Sequence, residues 1–176
     1  LVDGALYCAQ TVTEQLKQEA VSLTGLSNPN SVAQLTRWLE TEIDEEVPTL
    51  RKADVSDLLG RDLPSDTARR MLEIRQELGK TSCKKFDAIK AAVGDDGRVR
   101  GLLQFYGANR TGRWAGRLVQ VQNLPQTHLP ALSLTRDLVK QRDIPMLKLL
   151  HGSVPGTLSQ LIRTALVASP GHVLID

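Results

Sequence analysis

Residues 107–125, GANRTGRWAGRLVQVQNLP, have the side chains needed to hold a polyanion. The first eleven positions contain three arginines and three glycines, and the whole segment contains no Asp or Glu. Arginine carries a planar set of N–H donors that matches phosphate groups and the edges of bases. Glycine permits positive φ and a close approach of the backbone to a ligand. This combination predicts a surface that can lie very near a phosphate backbone.

Neutral hydrogen-bonding side chains accompany these arginines. They are Gln104, Asn109, Thr111, Gln120, Gln122 and Asn123. When a protein recognises duplex DNA, phosphate contacts position it, while amides and guanidinium groups reach acceptors on the groove edges. The acceptors of the minor groove are nearly the same for every base pair. We therefore expect a surface that reads the shape of paired strands and little of their sequence.

The charge of the chain is unevenly distributed. Residues 1–66 contain five Lys/Arg and twelve Asp/Glu, a net charge of −7, whereas residues 67–176 contain seventeen and eight, a net charge of +9. From Gly97 to Arg136 there is no acidic residue, although this stretch has six arginines and a histidine. The asymmetry favours a polyanionic partner for the basic part. A solvated surface with uneven charge is the alternative interpretation.

Several classes of chemistry have no support in the sequence. The basic segment lacks the G-x-x-x-x-G-K-[ST] pattern of phosphate-binding loops and the dinucleotide-binding fingerprint. His128, His151 and His172 show neither metal-ligand spacing nor a partner that would orient a catalytic base. Asp95 and Asp96 stand before a glycine between a helix and a strand, which is typical of a turn.

The cysteines and the hydropathy pattern bear on the cellular setting. Cys8 and Cys83 form neither a metal-binding nor a disulfide pattern, so we expect free, buried thiols in helices. No run of eighteen apolar residues predicts a membrane span, and no signal segment precedes the first helix. These features favour a reducing, intracellular setting.

Apolar spacing predicts the elements that would position the basic segment. Helices are expected over residues 4–24, 31–42, 51–59, 67–93, 132–142, 145–152 and 157–167. Two helices that meet at Gly79 are an alternative to one helix over 67–93, because glycine is unfavourable inside a helix. Strand-like runs are expected over 98–109, 117–124 and 173–175. The fold class is therefore mainly α with a small β element.

Residues 111–125, TGRWAGRLVQVQNLP, resemble the T-G-R-…-Q-N-[IL]-P segment of family A DNA polymerases, the bacterial DNA polymerase I type. The segment fits without a gap, with eight residues between TGR and QNLP. NPNSVAQLTRWL and RQELGKTSCKKFDAI resemble two helices of that family's thumb, and LSQLIRTALVASPGHVLID resembles the lead-in to its catalytic D-[YF]-S-x-[IL]-E motif. The stretch after residue 131 is closer to phage-type members than to cellular ones.

The resemblance implies which residues bind DNA. Arg113 matches an arginine that reaches the minor groove beside the primer terminus, and Gln122 and Asn123 match a pair that contacts the primer–template near the active site. Lys80 matches a thumb lysine that holds the DNA backbone. We expect Arg117 to contact phosphate and Trp114 to pack rather than stack. The complete set of expected DNA-binding residues is Lys80, Asn109, Thr111, Arg113, Arg117, Gln120, Gln122 and Asn123.

The resemblance also implies an organisation and an activity. Residues 1–96 would form a helical thumb-like region, and residues 97–176 would begin a palm-like region. The intact parent would be a DNA-directed DNA polymerase that uses Mg²⁺ and dNTPs in the cytoplasm of a bacterial or phage-infected cell, without a membrane partner. The catalytic aspartate is expected about two positions beyond Asp176, so this fragment is predicted to lack catalytic and metal-binding residues and to be inactive alone.

Two other function classes remain open from the sequence. One is a non-catalytic nucleic-acid-binding module that uses an arginine–glycine hairpin. The other is a helical protein-interaction domain, which would not bind DNA.

Overall fold

The computed structural model describes residues 1–80, 83–168 and 171–172. Within them the chain forms eight α-helices and one two-stranded antiparallel sheet, which confirms a mainly α fold with a small β element. The helices are α1 (Val2–Thr24), α2 (Val32–Ile43), α3 (Lys52–Leu59), α4 (Asp66–Leu78), α5 (Lys84–Ala92), α6 (Leu132–Gln141), α7 (Ile144–His151) and α8 (Val154–Leu161). The strands are β1 (Leu103–Ala108) and β2 (Arg113–Gly116), and 3-10 turns occupy Val121–Asn123 and Arg163–Ala165. The strand expected at 173–175 lies outside the described residues, as does Asp176.

The chain divides into two compact units, of which one contains residues 10–80. Here the later part of α1 is joined by α2, α3 and α4, each of which buries one apolar face. The Ser65 hydroxyl accepts a hydrogen bond from the backbone N–H of Ala68 (3.2 Å) and so caps α4. Arg70 of α4 donates to both carboxylate oxygens of Glu19 at 2.6 and 3.0 Å. The core includes Leu35, Leu39, Met71, Leu72 and Ile74.

The other unit contains residues 1–9 and the described residues from 83 onward. It consists of the start of α1, helices α5 to α8 and the sheet. The side chains of Asp143 and Ser153 cap α7 and α8, and each helix has a proline in its first turn, where no N–H partner is lost. The core includes Phe86, Val139, Leu147, Leu158, Leu161 and Ile162.

The stretch expected as one helix over residues 67–93 contains two. Helix α4 ends at Leu78, and the N–H of Gly79 bonds to the Arg75 carbonyl as a cap (3.0 Å), so the alternative of a break at Gly79 is confirmed. Helix α5 ends at Ala92, after which the backbone becomes extended and Val93 pairs with Val99 across a turn. The turn expected at Asp95 and Asp96 is thereby confirmed.

The extended run expected over 117–124 is wrong. Leu118 and Gln120 have φ of 54° and 50°, which breaks any strand, and Val121–Asn123 is a 3-10 turn. Of the apolar side chains at 118, 119 and 124, only Val119 and Leu124 are buried, whereas Leu118 is exposed. The alternation of apolar and polar residues over 117–124 therefore does not mark one face of a strand. Its two buried residues, Val119 and Leu124, instead hold the ends of a turn.

Neither Cys8 nor Cys83 forms a disulfide, as expected, but the two differ in burial. Cys8 lies fully buried in α1, and this burial raises the pKa of its thiol. Cys83 precedes α5 and is only partly buried, with its sulfur 3.9 Å from the Pro155 carbonyl oxygen.

Among the helices in the described residues, none combines the length and the apolar character needed to cross a membrane.

The close approach of α1 to α6 generates a prediction about Gly4. Gly4 is buried, and a Cβ at this position would collide with the backbone carbonyl of Val139. Because backbone atoms cannot rotate away, we expect Gly4→Ala to lower the free energy of unfolding by about 1–3 kcal/mol. Urea unfolding followed by circular dichroism measures this change.

Gly60→Ala is the matched control. A Cβ there would lie 3.4 Å from the nearest atom, the Asp57 carbonyl oxygen, which is ordinary contact. Its free energy of unfolding should stay level or rise slightly, since alanine restricts the unfolded chain more than glycine does. Equal stabilities for the two variants would contradict the close packing of α1 on α6.

Candidate nucleic-acid interface

The basic segment folds as a hairpin of β1 and β2. Leu103 pairs with Gly116, and Ala108 pairs with Arg113, across a loop of residues 109–112. The Ala108 carbonyl accepts hydrogen bonds from the N–H groups of Thr111 and Gly112, both at 2.9 Å. Gly112 has φ of +66°, which an L side chain rarely adopts, so the sequence permits this tight reversal at the glycine. The loop thereby presents Asn109, Arg110 and Thr111, all three exposed, at its tip.

The arginines of this hairpin, which we call the basic hairpin (residues 98–117), are mostly not neutralised by the protein. Arg98, Arg110 and Arg113 are exposed, and within the described part of the chain their side chains make no hydrogen bond or ion pair. Arg117, also exposed, donates to the neutral side-chain oxygen of Gln104. The guanidinium groups at 110, 113 and 117 therefore keep their full charge beside the sheet.

Arg100 is the exception. Its two terminal nitrogens donate to the two carboxylate oxygens of Asp96 at 2.9 and 2.6 Å. These hydrogen bonds, together with the N–H of Arg98, lower the pKa of Asp96 to about 2. The carboxylate consequently stays ionised under ordinary conditions, and the charge of Arg100 is compensated. From residue types alone, Arg100 cannot be told apart from the other arginines of the segment. Its pairing with Asp96, four positions earlier, depends on the conformation of the turn.

The Gln-Asn segment lies in the 3-10 turn Val121–Asn123, which the rest of the unit holds in place. Lys85 of α5 donates to the carbonyl of Asn123 (3.1 Å), and Arg163 donates to the carbonyl of Leu124 (3.0 Å). Val119 and Leu124, both buried, anchor the two ends of the turn. Sequence reasoning missed Lys85 and Arg163. They lie 38 and 39 positions from the residues whose carbonyls they bind, and contacts this distant leave no local pattern in the sequence.

The amides of this turn remain exposed. Asn123 Nδ2 donates to Gln120 Oε1 at 3.0 Å, which leaves the Asn123 oxygen and a second N–H for a ligand. The amide of Gln122 lies against Gly116 so closely that a Cβ there would collide with it. Glycine at 116 therefore brings the Gln122 amide directly onto the basic hairpin. The structure thus brings together Gln104 of β1, Arg117 after β2, and Gln120, Gln122 and Asn123 of the following turn.

Lys80 is in a different situation. It belongs to the unit of residues 10–80, is half-buried, and its Nζ lies 2.6 Å from Glu77 Oε1. A phosphate would have to compete with this carboxylate for the ammonium group. The expected role of Lys80 in holding a DNA backbone stays a prediction.

Trp114 does not pack in the interior, contrary to the interpretation of the sequence. Its side chain is 62% exposed, and its ring meets Phe105 edge-on with centroids 5.3 Å apart. Phe105 and Tyr106, which lie in the strand-like run expected over 98–109, are exposed as well.

The described residues provide little geometric support for a metal site or for a catalytic histidine. They contain no group of three or more His, Cys, Asp or Glu side chains that could hold a metal ion. His151 is half-buried, and its Nε2 is hydrogen-bonded to the Thr135 hydroxyl at 2.9 Å. His128 is exposed.

Comparison with known proteins gives one named similarity of high identity. The chain is 49% identical over 172 residues to a protein named DNA polymerase from Bacillus phage SP02. The alignment covers 98% of this chain and 26% of that protein, so the chain spans about a quarter of the length of the curated relative it matches. No protein-family model matches the chain. No solved structure matches it.

The Asp96–Arg100 pair predicts a pH dependence. Because the folded-state pKa of Asp96 is depressed to about 2 from 3.8, the pair stabilises the turn above about pH 4 and is lost as pH falls through about 2. Arg100→Gln should raise the titration midpoint of Asp96 toward 3.8. Carbon-13 NMR of the side-chain carboxyl group measures the midpoint.

Arg98→Gln is the control for this titration. Arg98 reaches Asp96 through its backbone N–H at 3.2 Å, and that bond survives the substitution. The Asp96 midpoint should therefore stay near its original value in Arg98→Gln. A midpoint that does not move in Arg100→Gln would show that the guanidinium is not paired.

Proposed function

We propose that this chain is part of a DNA polymerase and that it grips primer–template duplex during template-directed DNA synthesis. The 49% identity to a protein named DNA polymerase supports the first half of the proposal. The geometry of the basic hairpin supports the second half. The identity also favours a polymerase over a free-standing nucleic-acid-binding module.

The observation that carries the proposal is the state of Arg113. Its guanidinium is exposed on β2 and has no carboxylate partner among the described residues. A cation that the protein leaves unpaired gains most from a polyanion, because binding releases the counterions condensed on DNA. Arg110 extends the same charge toward the loop tip.

The chemistry of the neighbouring amides indicates how the duplex is held. Gln122 and Asn123 offer N–H donors for purine N3 and pyrimidine O2, the acceptors that line the minor groove. These acceptors occupy similar positions in every correctly paired step, so the contacts report pairing geometry. Asn109, Thr111 and Gln120, all exposed, would add hydrogen bonds to phosphate or sugar.

The finer assignment follows from the resemblance to family A polymerases. We propose a thumb-like role for residues 1–96, with Lys80 on the DNA backbone, and a palm-like role for residues 97–176. In that family two Mg²⁺ ions held by carboxylates activate the primer end and the incoming dNTP. We assign the grip of DNA to this segment and propose that the segment alone is inactive. We place the parent in the cytoplasm of a bacterial or phage-infected cell.

A first experiment measures duplex binding by the chain itself. We expect salt-dependent binding with little sequence preference, and Arg113→Ala should weaken it by roughly 1–3 kcal/mol. Arg100→Ala is the matched control, since it removes the same side chain from the same hairpin but one that Asp96 already neutralises. Its loss should be distinctly smaller. Fluorescence anisotropy of a labelled duplex at several salt concentrations gives both values.

Two results would count against this grip. Affinity that is the same at low and high salt would exclude a phosphate-dominated interface. Equal losses for Arg100→Ala and Arg113→Ala would show that only net charge matters and that the position of Arg113 on β2 does not.

A second experiment concerns the intact polymerase that contains this segment. Arg113→Ala should slow primer extension and reduce the rate difference between matched and mismatched primer ends, because a groove contact at the primer end is lost. Single-turnover extension from both ends measures the two rates. Arg98→Ala, at an exposed arginine outside the T-G-R pattern, serves as the control. Unchanged rates with both ends would reject the role given to Arg113.

A further inference from the structure

Three aromatic side chains form an exposed cluster on the basic hairpin. Phe105, Tyr106 and Trp114, the aromatic cluster, are 71%, 56% and 62% exposed. They are half of the six Phe, Tyr and Trp residues in the chain. Aromatic residues normally supply the largest buried areas of a core, so their concentration on the surface marks a binding site.

A bulge in β1 brings the cluster together. Between the pairs Gln104–Ala115 and Ala108–Arg113, β1 has three residues whereas β2 has only Trp114. In a regular strand Phe105 and Tyr106 would point to opposite faces. Here Tyr106 has φ of 52°, and its ring centroid lies 6.4 Å from that of Phe105. Bulges re-aim side chains in this way, and a positive φ is unfavourable at an aromatic residue.

The turn of the hairpin supports the re-aimed ring. The Tyr106 ring lies over Gly112, where a Cβ would come within 2.8 Å of Tyr106 Cε2. The Phe105 and Trp114 rings meet at 69°, an edge-to-face arrangement that leaves ring faces open to solvent. The cluster is thus a preformed surface with flat apolar faces.

The charges beside the cluster select its ligand. Arg110 and Arg113 precede Trp114 in the sequence by four positions and one, and they carry no carboxylate partner within the described residues. An apolar protein segment would gain nothing from them, whereas a nucleic acid combines π faces with phosphates. In a duplex the base faces are hidden by stacking, and only unpaired bases present them.

We infer that the aromatic cluster stacks unpaired bases of single-stranded DNA while the adjacent arginines hold its phosphates. This site deepens the proposed function and rests on it, because a primer–template carries an unpaired template strand beside its duplex. Arg113 would contact the phosphates of paired and of unpaired DNA, whereas Phe105 and Trp114 would contact only unpaired bases.

The test uses the intrinsic fluorescence of Trp114. Trp38→Phe leaves Trp114 as the single tryptophan of the chain. The probes are an oligothymidylate of about a dozen nucleotides, an abasic oligomer of equal length, and a blunt DNA duplex. We expect the oligothymidylate to quench Trp114 and to bind roughly 5- to 100-fold more tightly than the abasic oligomer, which retains the phosphates but has no bases.

Substitutions within the cluster then locate the contact. Trp114→Leu and Phe105→Leu, read out by anisotropy of the labelled probes, should reduce oligothymidylate affinity by a similar factor and leave the abasic oligomer unaffected. Tyr7→Leu is the control, since it removes an exposed ring that lies instead under the Arg142 guanidinium, 4.6 Å from its centroid. Both cluster positions are exposed, so circular dichroism should show intact folds.

The outcomes separate this inference from the proposed function. Equal affinity for oligothymidylate and the abasic oligomer overturns stacking, while Arg113-dependent binding of the blunt duplex would leave the proposed function standing. Absence of binding to all three probes overturns both. Trp114→Leu that leaves every affinity unchanged also overturns stacking and points to a protein surface that covers the rings.

Discussion

Uncompensated positive charge on a small hairpin is the constraint on which the site depends. Residues 98–117 contain five arginines, and among the described residues only Arg100 has a carboxylate partner. Like charges held this close repel one another. The repulsion is reduced by solvent, by the neutral Gln104 amide that accepts from Arg117, and by Asp96 beside Arg100. The repulsion persists in the free chain and would fall if phosphates bound. Under the proposed function, binding strength would derive from the charges that folding leaves unpaired.

The turn that follows the hairpin shows how such a surface keeps a defined shape. Lys85 and Arg163 point their cations inward, at the carbonyl oxygens of Asn123 and Leu124. The cations near the site thus form two groups. Lys85 and Arg163 bind backbone carbonyls, and the exposed arginines of the basic hairpin face solvent. Because carbonyls are neutral acceptors, the inward pair holds the turn without reducing the positive potential of the surface. A carboxylate acceptor for these cations would instead have neutralised them and weakened the attraction for a polyanion.

The spacing of residues predicted the helices and the strand-like run that contains β1 better than the turn that follows β2. Helical periodicity predicted seven helices, or eight with the break at Gly79 that the structure has, and glycine with arginine indicated the hairpin. Sequence reasoning failed where the conformation is not encoded by residue type: Leu118 and Gln120 adopt positive φ although neither is glycine, so the turn looked like a strand. It also failed for Trp114, whose exposure depends on a bulge in the partner strand. Register shifts and side-chain pairing are set by tertiary structure, which a single sequence does not display.

Phosphate attraction and base stacking act over different distances, and one hairpin that offers both can discriminate among forms of DNA. Charge attracts any strand across roughly a Debye length, about 8 Å at physiological salt, with no regard for pairing. Stacking requires contact and an uncovered base face, so it acts only after the strand has arrived and only where pairing ends. If both proposals hold, paired DNA would lie along Arg113 and the Gln-Asn turn, and the first unpaired base would reach the aromatic rings. The bulge in β1, which costs free energy in the isolated chain, would then set the register between duplex and single strand.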